Sequence, residues 1–103
     1  MLSAARKTPI HVKVKFFTTL REIVGRKEEL IALSDSITLE ALLKQLAKTH
    51  GDDFEDYVYD GQGKVRGYLQ LLINGRNLST NQRKKTTLRE GDEVAILPPV
   101  GGG

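Results

Sequence analysis

The chain contains no cysteine. That removes disulfides, a thiolate zinc site and any thiol nucleophile of its own. Such a chain is compatible with a reducing cytosol, and a cytoplasmic location is the expectation. Long apolar runs are also missing: none approaches the roughly 20 residues of a membrane-spanning helix. Residues 1–9 carry Arg6 and Lys7 but lack the apolar stretch of a secretory signal, and they read as a flexible arm. Charge of one sign is scarce. Sixteen basic and 13 acidic residues leave +3, dispersed along the chain, so direct nucleic-acid binding is not indicated. A phosphate loop is absent too. Gly63-Lys64 follows Val58 where the first glycine belongs, and Val65 stands where Ser or Thr would hold magnesium. The expectation is that this chain binds no cofactor itself.

What is there suits one small domain of 103 residues. The chain is 39% hydrophobic and 28% charged, ordinary for a globular domain. A domain this size buries roughly 65% of its unfolded surface, enough for one core without a metal.

Ile10, Val12, Val14 and Phe16 alternate with His11, Lys13 and Lys15, the period-two pattern of a strand with one buried face. His11 then faces solvent. Residues 18–24 fit one or two helical turns closed by Gly25, and residues 28–33 read as a second strand. Leu30 and Ile31 lie too close together to fix its inner face. The two strands suggest a hairpin-like pair with Arg26-Lys27 in the turn. At Leu39, Leu42, Leu43, Leu46 and Ala47 the spacing becomes helical, with Thr38 as N-cap, Glu40 in the first turn and Gly51 as the stop.

Residues 52–67 are polar around Asp60-Gly61-Gln62-Gly63 and read as a long excursion, pinned by Phe54, Tyr57 and Tyr59. Residues 68–73 return to a strand with Leu69, Leu71 and Ile73 inward. Asn74-Gly75 is a strong hairpin signal, because both central positions of a type I′ turn need positive φ. Arg76-Asn77-Leu78 forms a short strand. Arg83-Lys84-Lys85 reads as solvated surface. Residues 93–97 form the last strand, with Val94 and Ile96 inward. Pro98 and Pro99 end regular pairing, because proline cannot donate to a ladder. The fold class is therefore α+β, with one main helix across one face of a mixed sheet of about five strands.

Beyond that sheet stand Pro98, Pro99, Val100, Gly101, Gly102 and Gly103. The prolines favour an extended exit, and three glycines make a thin thread that tolerates backbone angles barred to other residues. The extended reach from Val100 to Gly103 is on the order of 13 Å. Its one reactive group is the carboxylate of Gly103. A carboxylate resists nucleophiles until its oxygen becomes a better leaving group, as adenylation makes it. Sulfur or an amine can capture the acyl-adenylate; without a phosphate loop or cysteine, activation and any sulfur delivery would have to come from other proteins. The plain alternative is an inert glycine tail, but glycines placed directly after a core strand and a double proline argue against it.

Residues 88–103, Leu-Arg-Glu-Gly-Asp-Glu-Val-Ala-Ile-Leu-Pro-Pro-Val-Gly-Gly-Gly, resemble the C-terminal signature of the MoaD / ThiS family of sulfur carriers. Phe16-Phe17 with Leu20-Arg21-Glu22 resembles that family's first strand and short helix, and Ile73-Asn74-Gly75 its central hairpin. The resemblance spans about residues 10–103. It implies a ubiquitin-like β-grasp domain over residues 10–97, with residues 98–103 a flexible tail. It also implies that an ATP-dependent, MoeB-like activating enzyme adenylates the carboxylate corresponding to Gly103, supplying ATP and magnesium. The product is a thiocarboxylate. Sulfur then passes to molybdopterin synthase, whose large subunit receives the tail, or to the tRNA thiolation machinery; some relatives instead form isopeptide bonds with lysines. Gly101 stands where the molybdopterin synthase subunit commonly has alanine. For docking, the sheet face away from the helix offers Tyr68, Gln70, Leu72 and Arg76 as candidates, with a buried role for Leu72 weighed equally.

Overall fold

A computed structural model describes residues 9–98. Its elements run β1 (Ile10–Phe16), α1 (Thr18–Val24), β2 (Glu28–Leu33), α2 (Leu39–His50), α3 (Asp52–Val58), β3 (Gln70–Ile73), β4 (Arg76–Asn77), α4 (Thr80–Lys85) and β5 (Glu93–Leu97). The expected arm and the tail from Pro99 onward lie outside the described residues.

The sheet is mixed, in the order β2-β1-β5-β3-β4. β1 and β2 pair antiparallel, as the hairpin-like reading expected. β5 lies between β1, to which it is parallel, and β3, to which it is antiparallel. This is the β-grasp arrangement with a helix over one face. Alternation decides which face is covered: Val12, Val14, Phe16, Leu71, Val94 and Ile96 point inward and are almost fully buried. Leu39, Leu42, Leu43 and Leu46 of α2 close over them. Burying such a side chain is worth about 1.5–3 kcal/mol. The face of β2 is now fixed, with Leu33 buried, Ile31 half-buried and Leu30 outside at 68% exposure.

Local chemistry sets the element ends. The Thr38 hydroxyl oxygen accepts from the Ala41 N–H at 3.1 Å, and Gly51 ends α2 with a positive φ. Asn74 (φ 52°) and Gly75 (φ 84°) both take the positive angles of a type I′ turn. Where α2 ends, His50 Nε2 meets Glu29 Oε1 at 2.9 Å, and its ring packs 5.6 Å from that of Phe54 and 6.0 Å from that of Phe16.

Two helices correct the sequence reading. The first half of the 52–67 excursion is α3. Asp52, Asp53 and Glu55 occupy its first turn, where the dipole favours carboxylates, and Phe54 and Val58 bury its inner side. Phe54, Tyr57 and Tyr59 do hold the segment down: Phe54 and Tyr59 are buried and Tyr57 is partly so. The second is α4, which contains the Arg83-Lys84-Lys85 run. Ser79 and Gln82 form a reciprocal capping box there, at 3.2 and 2.8 Å.

Candidate functional site

The tail grows from β5, and β5 is held on both sides. Ile96 pairs with Phe16 on β1 and with Leu71 on β3, and Leu97 pairs with Gln70. The ladder stops at Leu97, and half-buried Pro98 comes next. The root of the tail is therefore a strand interior to the sheet. Fraying it would break two ladders rather than one. Pro99, Val100, Gly101, Gly102 and Gly103 lie outside the described residues.

The foot of β5 is fastened as firmly. The Asn74 side chain donates from Nδ2 to Asp92 Oδ1 at 2.9 Å and accepts the Glu93 N–H on Oδ1 at 2.9 Å. Asp92 Oδ2 accepts the Arg89 N–H at 2.8 Å. The Gly91 N–H reaches the His11 carbonyl at 2.8 Å. On the outer face, Lys15 Nζ and Glu93 Oε2 are 2.6 Å apart. That hydrogen bond, with the Glu93 charge, holds the Lys15 ammonium above its ordinary pKa; the reciprocal contact holds the Glu93 carboxyl below its own.

The face away from α2 carries Gln70 and Leu72, with Ala95 directly opposite Leu72 and Leu97 opposite Gln70. Directly paired residues share a face. Gln70, Leu72, Ala95 and Leu97 are all half-buried, and Tyr68 beside them is 50% exposed. This patch adjoins the tail root. Arg76 does not belong to it. It pairs with Ile73, a core-facing residue, so its side chain emerges on the helix side; Asn77 is the residue opposite Leu72. Period-two reasoning separates Arg76 from Leu72 once the register is known, and the register needed the turn geometry.

The turn around Lys64 is closed by a carboxylate. Asp60 Oδ1 takes the N–H groups of Gln62 (2.8 Å) and Lys64 (3.0 Å), and those contacts hold its carboxyl below the ordinary range. Two backbone donors of that turn are thus taken by a carboxylate. Among the described residues there is no cluster of three or more metal-ligating side chains, and no helix is long and apolar enough to cross a membrane.

The sequence shows clear kinship with known proteins. Residues 14–103 match the ThiS family. The chain is 31% identical to small archaeal modifier protein 3 of Haloferax volcanii over 94 residues, covering 91% of this chain and all of that one. It is 35% identical to the molybdopterin synthase sulfur carrier subunit of Escherichia coli over 92 residues, covering 89% of this chain and 99% of the relative. The fold superposes on the crystal structure of SAMP1 from Haloferax volcanii with a TM-score of 0.76 at 26% identity, covering 90% of this chain and 99% of that one. With its β-grasp sheet and its doubly paired last strand, the chain belongs to the ThiS family, a family of ubiquitin-like sulfur carriers and modifiers.

Proposed function

We propose that the carboxylate of Gly103 is the reacting group. β5 carries this reading. It is a strand locked between two partners, it ends at Leu97, and Pro98, Pro99, Val100 and three glycines follow it. A rigid domain holds a side-chain-poor thread, suited to a narrow active site in a partner. In the activation step a carboxylate oxygen attacks the α-phosphorus of ATP, and pyrophosphate leaves. A sulfur nucleophile then displaces AMP from the acyl-adenylate. ATP and magnesium enter with the activating enzyme, which grips the Tyr68–Gln70–Leu72–Ala95–Leu97 patch beside the tail root.

The test is intact mass after incubation with ATP, magnesium, a MoeB-like activating enzyme and a sulfur source. The expected result is a mass gain equal to exchange of one oxygen for sulfur, mapped to Gly103. No gain overturns the reading. Deleting Gly102 and Gly103 abolishes the gain while leaving thermal unfolding unchanged.

One activated carboxylate has two outlets. Kinship with a molybdopterin synthase sulfur carrier subunit favours delivery to that synthase's large subunit. Kinship with a small archaeal modifier protein favours attack by a lysine amine and an isopeptide bond. Tagged protein recovered from cells and digested separates them: glycine remnants on target lysines establish conjugation, and their absence leaves sulfur delivery alone.

A further inference from the structure

Three cations of the sheet side have acidic neighbours. Lys13 approaches Glu28 at 3.8 Å, Lys15 meets Glu93 at 2.6 Å and Arg26 approaches Glu29 at 3.9 Å. A groove of about 590 Å³ gathers three cations that do not. It lies between the β3–β4 turn, the end of α4 and residues 86–92, and Arg76, Lys85 and Arg89 line it. None of the three side chains has an acidic partner among the described residues. The single acid in the wall, Asp92, already accepts from Asn74 Nδ2 and the Arg89 N–H. The lining keeps a net charge of +2, and the hydroxyls of Thr86 and Thr87 add neutral donors.

We infer that this groove docks an acidic polypeptide segment, rich in Asp and Glu, of a partner protein. Three cations without acidic partners around one concave polar site complement carboxylates in charge, which raises association rate and selects orientation. The lining has no aromatic side chain on which a base can stack, which disfavours single-stranded nucleic acid. Position gives the groove a purpose. β5 starts at the groove and runs away from it to Pro98, so the tail root lies about 20 Å off at the opposite pole. A partner held here leaves both the tail and the Leu72 patch free for an enzyme working on Gly103.

The test uses the full chain and a fluorescently labelled peptide of alternating Asp and Glu, monitored by anisotropy and amide chemical shifts at low and at moderate salt. Expected are shifts centred on Arg76, Lys85, Thr86, Thr87 and Arg89, with binding that weakens as salt rises. The triple variant Arg76→Gln, Lys85→Gln, Arg89→Gln binds about tenfold more weakly with an unchanged unfolding temperature. A charge-matched control, Lys27→Gln, Lys44→Gln, Lys48→Gln, binds like the parent. Equal loss in both variants, shifts spread over all lysines, no binding at low salt, or tighter binding of an oligonucleotide of equal charge each overturns the inference.

Discussion

Asn74 and Asp92 are joined side chain to side chain, Nδ2 to Oδ1 at 2.9 Å, across 18 positions of sequence. One residue thus serves two ends: its positive φ closes the β3–β4 hairpin, and its amide clamps the start of β5. Asn74→Ala removes the clamp and puts an unsuited residue in a left-handed position. The expected loss is about 1–2 kcal/mol, read as a lower urea midpoint with unchanged slope. Asn74→Gly keeps the turn and loses only the clamp, so it costs less; equal losses would refute the double role.

Phe54 is fully buried, with its ring 6.4 Å from that of Phe16 in edge-to-face contact. It ties α3 to β1, inside a segment that reads as a polar excursion. Phe54→Ala is expected to destabilise by about 3–5 kcal/mol. A loss below about 1 kcal/mol would mean that α3 is peripheral to the core. Chemical denaturation of the variant decides.

Tyr59 has the one buried side-chain polar atom without a partner among the described residues. Burial, with help from Glu40 and Glu55, pushes its pKa up to about 12. A phenol whose folded pKa exceeds its unfolded value adds stability that is complete below pH 10 and is lost as pH rises towards 12. Tyr59→Phe removes an unsatisfied hydroxyl, so stability stays level or rises by up to about 1 kcal/mol. The variant also keeps its stability better than the parent between pH 10 and 12. A variant clearly weaker at neutral pH would show that the hydroxyl has a partner after all.

Leu72 sits beside Ala95 on the outer face, next to the strand that carries the tail. Leu72→Glu leaves the core untouched and is expected to change stability by no more than about 0.5 kcal/mol. It should raise the KM of an activating enzyme for the carrier about tenfold or more, the cost of losing one apolar anchor. Arg76→Gln, on the other side of the sheet, should leave that KM alone. If both variants behave alike, the outer face is not where the enzyme grips.

Much of the molecule is set by short-range chemistry and is legible in the chain itself. Alternation marks the inward set of β1, β3 and β5, leucine spacing marks α2, and Asn74-Gly75 marks the hairpin. Each depends on neighbours within a few residues. The tail needs no fold to be noticed, since glycine and proline carry their meaning in their own backbone. The two short helices left signals that can be read: Ser79 with Gln82 three residues on, and an acidic turn ahead of Phe54 and Val58. Seven- and six-residue helices show too few turns for periodicity to register, so these signals weigh little without packing.

Distant pairing is another matter, and there the assembled fold is decisive. No local rule puts β5 between β1 and β3, or makes one of its ladders parallel. Register across the Asn74-Gly75 turn moves Arg76 off the Leu72 face, because one step along a strand reverses a side chain. The groove of Arg76, Lys85 and Arg89 likewise exists only after β4, α4 and the 86–92 segment converge. The order of residues by itself singles out the proline- and glycine-rich thread to Gly103 on which the proposed function rests. How rigidly that thread is rooted, and which surfaces stand free around it, is a property of the fold, because burial and strand pairing act between residues that sequence distance keeps apart.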